Sequence, residues 1–280
     1  MDTSSISFTA HYTGQVWAKY GLSDPRWQTA TGRFLYGALS PFEWAGKKII
    51  GGNIRTFLLQ RHLIIDHLLH NTLKRHPDLQ VLEIACGLSA RGTRFCQQYP
   101  KLRYIEADLP ARAAQKNNLL KRVGTYASRH FAVPLDFFCQ DELGLAVLFA
   151  QQLDPQAPVL VITEGLINYF ELSTLAPIWH QLSRLLKQHP VGYYLTDNYP
   201  LLEDDPNKKL MEVLSQLLGW VSRSAVNFHF HRLEDIAPYY QDLGFQQVIV
   251  HNPEDYYEKL ALPENRGRPL VHILEMQVRS

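Results

Sequence analysis

The chain has 280 residues, of which 46% are hydrophobic and 20% are charged, and its formal net charge is +1. This length and apolar fraction support one domain with a full hydrophobic core and room for a helical cap. The balanced charge and the lack of a basic run give no electrostatic reason to expect a nucleic-acid partner. The composition therefore favours a near-neutral soluble protein.

The cysteines and the N-terminus indicate a reducing compartment. Cys86, Cys96 and Cys139 are odd in number and lack metal-ligand spacing, so we expect neither disulfides nor a bound metal. The first residues do not resemble a signal peptide, and no apolar run approaches the roughly 18 residues that span a bilayer. We predict a cytoplasmic protein without a membrane partner, and the oligomeric state is left open.

Residues 1–80 read mainly as helix, most clearly between Phe57 and Leu69, where apolar residues recur every three to four positions. After Pro77, short apolar runs alternate with helical patterns. The predicted strands are 81–85, 102–107, 131–135, 159–163, 193–196, 245–250 and 271–278. The predicted helices between them begin near 89 and at 110, and cover 171–188 and 233–243.

Repeated strand–helix–strand units indicate a parallel sheet with right-handed crossovers. The last two strands have no helix between them, which indicates an antiparallel pair at the sheet edge. We predict an α/β fold: a doubly wound, mostly parallel, seven-stranded Rossmann-like sheet with an antiparallel edge strand and a helical cap. The single domain divides into an N-terminal cap (1–80), a ligand-binding core (81–198), a helical cap insertion (199–232) and a C-terminal helix with edge strands (233–280). The insertion is predicted from apolar residues at helical spacing, namely Met211, Leu214, Leu217 and Leu218.

Ligands of doubly wound sheets bind beyond the carboxyl ends of the strands. The first strand is followed by Ala85 and Gly87, which are small enough for a ligand to approach the backbone. Asp108 ends the second strand, where an acidic side chain can accept hydrogen bonds from both ribose hydroxyls. The combination predicts an adenosine-containing ligand.

The glycine pattern favours an adenosine ligand without phosphates. Ala85 and Ala90 stand where a dinucleotide site carries glycines, and no Walker-type phosphate loop is present. Asp136 and Phe137 follow the third strand, where an acid and an aromatic ring suit the adenine amino group and ring face. S-adenosylmethionine meets these requirements.

Several segments together resemble the leucine carboxyl methyltransferase family, which includes polyketide-type O-methyltransferases. Arg61 and Asp66 are similar to its Arg-Thr-x-x-x-Asp segment. Residues 85–91, followed by Arg94, are similar to its Gly-Ala-Gly-Leu-Asp-Thr-Arg loop and later arginine. The resemblance implies that Arg61 holds the cofactor carboxylate, a role that suits a guanidinium fork. Glu83 and Ala85 are carried over with the loop as cofactor contacts.

Two further segments carry the resemblance. Residues 104–110 are similar to Tyr-x-Glu-Val-Asp-x-Pro, which implies ribose binding by Asp108 and a cofactor contact by Leu109; Lys116 stands where a lysine often follows. Residues 164–170 match Glu-Gly-Leu-x-x-Tyr-Leu, which implies that Glu164 lies beside the methionine portion and that Tyr169 lines the acceptor side.

The chain also departs from this pattern. The family's N-terminal basic residue falls on Trp17, and Ser89 replaces the loop aspartate. The segment 197–200 resembles the Asp-Pro-Pro-Tyr loop of amino-methylating enzymes, but it follows the fifth strand instead of the fourth, which disfavours amine methylation of nucleic acid.

We therefore predict an S-adenosylmethionine-dependent O-methyltransferase that acts on a carboxylate or hydroxyl of a small molecule and releases S-adenosylhomocysteine. No catalytic base is assigned, and the candidates are Tyr169, Tyr12 and His11. Two alternatives stay open at this point: an NAD(P)-dependent oxidoreductase, and a non-catalytic protein that binds S-adenosylmethionine.

Overall fold

The computed structural model describes residues 4–49, 53–139, 141–202, 227–265 and 268–280. Its centre is a seven-stranded sheet with the strand order β3-β2-β1-β4-β5-β7-β6. The strands are β1 (Gln80–Ile84), β2 (Arg103–Asp108), β3 (His130–Pro134), β4 (Val159–Thr163), β5 (Val191–Asn198), β6 (Gln247–His251) and β7 (His272–Arg279). Strands β1 to β5 are mutually parallel, and β7 runs antiparallel to both β5 and β6.

Eight α-helices lie within the described residues. They are α1 (Ser4–Lys19), α2 (Ala30–Ile49), α3 (Ile54–Arg75), α4 (Arg91–Gln98), α5 (Pro110–Val123), α6 (Leu145–Gln152), α7 (Leu172–Leu186) and α8 (Ile236–Asp242). None of these helices combines the length and the apolar character needed to cross a bilayer.

The central strands are buried on both faces, as expected for a parallel sheet between two helical layers. Every residue of β1, β4 and β5 is buried. Helices α3 and α4 cover one face of the sheet, and α6, α7 and α8 cover the other. Strand β6 is the exposed edge of the sheet, and its residues are half-buried or exposed.

The structure confirms the predicted mostly parallel sheet and its antiparallel pair, with one addition. The final strand, β7, inserts between β5 and β6, so β6 forms the edge. Helix α6 has no counterpart in the sequence prediction, because the whole helix is only eight residues long. The four apolar residues of the predicted insertion, Met211 to Leu218, lie outside the described residues.

The strand register brings three site segments together. Ile84 is opposite Ala107 on one side and opposite Thr163 on the other. The residues that follow these strands therefore leave the sheet side by side. Helix α1 passes directly over them, since a β-carbon at Gly87 would lie 3.5 Å from the β-carbon of Ala10. The carboxyl edge of the sheet and the inner face of α1 thus enclose the candidate site.

Candidate active site

The loop after β1 turns sharply at two residues with left-handed backbones. Gly87 has φ +50° and Ala85 has φ +54°. Glycine tolerates this conformation, whereas for alanine it costs about 1–2 kcal/mol. The turn aims the Gly87 amide at Asp108, whose Oδ2 accepts a hydrogen bond from it at 2.9 Å. The predicted proximity of these two residues is present in the structure.

Both carboxylate oxygens of Asp108 are anchored by backbone amides. Oδ1 accepts from the Leu109 amide at 2.8 Å, while Oδ2 is held by Gly87. Each oxygen keeps a further lone pair for a ligand hydroxyl. Burial raises the pKa of Asp108 above its usual value, and the two amide hydrogen bonds counteract this effect. The carboxylate is therefore fixed in position at a half-buried rim.

Lys116 supports the same loop from below. Its ammonium donates to the carbonyl oxygens of Ser89 and Gly87 and forms an ion pair with Glu106, with 2.9 Å between Nζ and Oε2. Burial opposes the charge, but the Glu106 carboxylate overcomes it and raises the pKa of Lys116. This lysine, which the sequence placed without a role, ties α5 to the turn beneath Asp108.

A second group of polar side chains lies on the α3 side of the edge. Arg61 Nε donates to Glu164 Oε1 at 3.0 Å, and Arg61 Nη1 donates to Asp197 Oδ2 at 3.0 Å. Nη1 also donates to the Tyr199 hydroxyl at 3.2 Å. The Gly165 amide donates to the other Asp197 oxygen at 2.6 Å. Helix α3, the β4 loop and the end of β5 thus meet at one guanidinium.

Arg91, which is fully buried, holds three carboxylates at once. Its nitrogens lie 2.6 Å from Asp66, 2.6 Å from Glu83 and 2.5 Å from Glu164. The Tyr104 hydroxyl donates to the second Glu83 oxygen at 2.6 Å. The Glu83 carboxylate is therefore occupied by protein donors and faces inward.

His62 and Arg94 complete this group, which we call the ionic cluster: Arg61, His62, Asp66, Glu83, Arg91, Arg94, Glu164 and Asp197. His62 Nδ1 lies 2.9 Å from Glu164 Oε2, and His62 Nε2 lies 2.9 Å from Arg94 Nη2. Arg94 also donates to Asp66 at 2.6 Å.

The ionic cluster carries a formal net negative charge; burial raises the pKa of Asp197, and the Arg61 guanidinium opposes this effect. It contains four carboxylates and three guanidinium groups, and burial lowers the pKa of His62, which favours the neutral imidazole. Burial opposes ionisation of Glu164, yet His62, Arg91 and Arg61 hold its pKa well below the usual range. Within the part of the chain that the structure describes, no set of His, Cys, Asp and Glu side chains is arranged to hold a metal ion.

Comparison with known proteins identifies the family to which this chain belongs. A family model described as leucine carboxyl methyltransferase matches residues 27–180, more than half of the chain. The chain belongs to the leucine carboxyl methyltransferase family. The resemblance drawn from the Arg61, Asp108 and Glu164 motifs is thereby confirmed, and with it the assignment to class I S-adenosylmethionine-dependent methyltransferases. A search of curated proteins finds no match to the sequence.

Solved structures share the fold. A Thermobifida fusca protein assigned as a methyltransferase has a TM-score of 0.66 at 13% identity, with 97% of this chain and 94% of that chain covered. An O-methyltransferase family protein from Burkholderia thailandensis has a TM-score of 0.55 at 17% identity, covering 89% of this chain and 62% of that one. The S-adenosylmethionine-dependent methyltransferase SibL, in its apo form, has a TM-score of 0.53 at 12% identity, covering 90% and 60%. This member of the leucine carboxyl methyltransferase family thus spans about three fifths of the length of the latter two proteins.

The remaining predicted cofactor contacts follow β3 and β4. Asp136 is half-buried two residues beyond β3, and its Oδ1 accepts from the Phe138 amide at 3.0 Å. Phe137 is 7% exposed and packs in the core below the edge. Tyr169 lies half-buried in the short 3-10 turn Ile167–Tyr169, one turn beyond Glu164.

The two N-terminal candidates for catalysis are engaged in contacts between helices of the cap. The Tyr12 hydroxyl donates to Glu43 at 2.7 Å, and Arg55 Nε donates to the same hydroxyl at 3.3 Å. Burial, followed by the Glu43 charge, raises the pKa of Tyr12. His11 Nδ1 lies 3.0 Å from the Thr29 hydroxyl, which ties α1 to the segment before α2.

The sequence analysis did not identify two residues of the ionic cluster, Asp197 and His62. Asp197 lies in the segment that resembles an amino-methylating loop, and its place at a strand end near Glu164 is the signal that could have indicated it. His62 follows Arg61 directly and stands at the threonine position of the Arg-Thr-x-x-x-Asp segment, where this chain does not match the motif. Both belong because α3 lies across the ends of β4 and β5.

Proposed function

We propose that this protein transfers a methyl group from S-adenosylmethionine to a carboxylate or hydroxyl oxygen of a small molecule. Family membership supports the cofactor and the reaction type. The O-methyltransferases among proteins of the same fold favour an oxygen acceptor.

The observation that carries the proposal is the charge of the buried edge. The ionic cluster is net negative, and Asp108 adds a further carboxylate beside it. S-adenosylmethionine brings a sulfonium, an ammonium and a carboxylate, and so has a net positive charge. Opposite charges attract strongly where water is excluded. A pyrophosphate of a nicotinamide cofactor would face repulsion at this edge, which counts against the oxidoreductase alternative.

We assign each part of the cofactor to a different residue of the site. We assign the ribose hydroxyls to Asp108 and the adenine side to Asp136, with Phe137 packed in the core beneath it. Arg61 Nη2, for which no hydrogen bond is seen among the described residues, is available to the cofactor carboxylate. Glu164 Oε1 accepts one hydrogen bond, from Arg61 Nε, and keeps a further lone pair that we assign to the cofactor ammonium.

Other residues act by support. Glu83 holds Arg91, which in turn holds Glu164. We therefore assign Glu83 to the framework beneath the cofactor. Ala85 and Leu109 supply backbone and apolar contacts at the rim, and Tyr169 faces the acceptor side.

When bound, the cofactor supplies a methyl group on an already activated sulfonium leaving group. The protein then has to hold acceptor and methyl carbon in line, and such positioning is worth roughly 7–11 kcal/mol in well-oriented reactions. A carboxylate acceptor is ionised at neutral pH and needs no base, since its pKa is about 4. A hydroxyl acceptor needs a base or a nearby cation.

Isothermal titration calorimetry with S-adenosylmethionine tests the proposal. Asp108→Ala should weaken binding about 100-fold, because two hydrogen bonds to a charged acceptor are worth roughly 1.5 kcal/mol each. Asp242→Ala, which removes an exposed carboxylate at the end of α8, is the matched control and should bind like the wild type. Equal affinity of the Asp108 variant and the wild type would refute the ribose assignment.

Product formation separates the enzyme from a non-catalytic binding protein. The wild type is incubated with S-adenosylmethionine and a panel of small carboxylic acids and phenols, and S-adenosylhomocysteine is quantified. Acceptor-dependent release supports transfer, whereas tight binding without release in any mixture favours the binding protein.

A further inference from the structure

His62 is placed to control the orientation of Glu164. The imidazole is fully buried, with Nδ1 2.9 Å from Glu164 Oε2 and Nε2 2.9 Å from Arg94 Nη2. Arg91 Nη2 also lies 2.9 Å from Nδ1, so each ring nitrogen faces a guanidinium, which can only donate. We assign the proton to Nδ1, because the ring then donates to Glu164 and accepts from Arg94, whereas a proton on Nε2 would satisfy only the contact to Arg91. The other tautomer would set the Nδ1 lone pair against the Glu164 carboxylate.

Glu164 is consequently held by three donors from two helices. Arg61 Nε binds one oxygen at 3.0 Å, while Arg91 Nη2 and His62 Nδ1 bind the other at 2.5 and 2.9 Å. The two arginines also hold other carboxylates of the ionic cluster, Asp197 and Asp66 among them. Among the residues that the structure describes, Glu164 is the one carboxylate within hydrogen-bond distance of the His62 ring.

Trp17 of α1 holds the opposite side of the same imidazole. The two ring centroids lie 4.6 Å apart with planes tilted by 36°, and Trp17 is 6% exposed. Helix α1 also packs on the loop after β1, since a β-carbon at Gly14 would lie 3.2 Å from that of Leu88. Positions 17 and 62, at which this chain departs from the family motifs, are thus in direct contact.

We infer that His62 is a positioning residue which fixes the Glu164 carboxylate toward the amino-acid portion of the cofactor, and that Trp17 fixes the His62 ring. The inference rests on the proposed function, because it assigns Glu164 to the cofactor ammonium. It separates the two ends of the cofactor site: His62 acts on the methionine end and Asp108 on the nucleoside end.

Two ligands make this separation measurable. S-adenosylmethionine occupies both ends, whereas 5′-methylthioadenosine has the same nucleoside and sulfur but lacks the amino-acid portion. His62→Phe keeps a ring for Trp17 and removes both hydrogen bonds. His62→Asn restores a donor near the position of Nδ1, whereas His62→Gln restores one near Nε2. His189→Phe is the matched control, since His189 is also buried beside an aromatic ring, at the opposite end of the strands.

Calorimetry on the full chain should show a selective loss. His62→Phe and His62→Gln should weaken S-adenosylmethionine binding about tenfold and leave 5′-methylthioadenosine binding within about twofold. His62→Asn and the control should bind both ligands like the wild type. Trp17→Leu should weaken S-adenosylmethionine binding in the same selective way.

Each contrary result has a distinct meaning. A parallel loss of both ligands in His62→Phe would make the residue merely structural and overturn the inference, as would unchanged binding of S-adenosylmethionine. Failure of His62→Asn to rescue would overturn the role of the Nδ1 donor. If the wild type binds neither ligand, the proposed function itself fails.

Discussion

Replacing Lys116 by methionine tests how the cofactor loop is supported. The lysine side chain is 1% exposed and forms an ion pair with Glu106, which is 0% exposed. Its ammonium also donates to the carbonyl oxygens of Gly87 and Ser89. Methionine matches the length of the aliphatic stem but removes the charge and the donors. The substitution therefore leaves a buried carboxylate facing a thioether.

The expected loss of unfolding free energy is about 3–5 kcal/mol, the usual cost of removing one partner from a buried ion pair. Among the described residues, the remaining polar partner of Glu106 is His130, whose Nε2 lies 3.2 Å from one of the two carboxylate oxygens. A loss of this size is a large share of the roughly 5–15 kcal/mol that stabilises a typical domain. Replacing Glu106 by glutamine as well should recover most of the lost unfolding free energy, because neutral residues of similar shape replace buried ion pairs at little cost.

Urea unfolding at pH 7, followed by circular dichroism, measures these values. Lys121→Met provides the control, since Lys121 lies on the same helix but is exposed, and its free-energy change should stay below about 0.5 kcal/mol. The double variant Lys116→Met/Glu106→Gln should lie within about 1–2 kcal/mol of the wild type. A Lys116→Met loss below about 1 kcal/mol, or a double variant no more stable than Lys116→Met alone, would refute the reasoning.

Two further predictions concern a glycine and a buried histidine. Gly165→Ala should weaken S-adenosylmethionine binding at least about tenfold, because Gly165 has φ +69° and a β-carbon there would lie 2.7 Å from Arg61 Nη2. The control is Gly37→Ala, in open space on α2, which should leave the affinity measured by calorimetry unchanged. Equal affinity of the two variants would contradict the prediction. Burial lowers the pKa of His272 to about 4, so its unfolded form gains a proton below about 6.5 while the folded form stays neutral. Unfolding free energy should therefore fall by about 2 kcal/mol more between pH 7 and pH 5 in the wild type than in His272→Phe, as measured by urea titration, and parallel pH curves would argue against a buried neutral imidazole.

Local sequence determined the elements of the central sheet. The run 159–163 consists almost entirely of β-branched and leucine residues, and it forms β4, buried on both faces. Short apolar runs separated by helices predict parallel strands because backbone hydrogen bonds and right-handed crossovers leave few other solutions. Element ends moved by a few residues, as at β5, which begins two residues before the predicted start. The motifs around Asp108 and Glu164 sufficed to indicate the family, since each follows a predictable strand end.

Only the tertiary structure decided which charges meet. Asp197 and His62 are 135 residues apart in the sequence, and no local sequence pattern links them. They share one cluster because helix α3 crosses the carboxyl ends of β4 and β5, so that Arg61 can reach both Glu164 and Asp197. Hydrophobic periodicity, a short-range property, specifies strands and helices, whereas the partners of a buried charge depend on long-range packing. Local sequence patterns thus predicted the sheet and the family, whereas tertiary packing determined which donors bind Glu164.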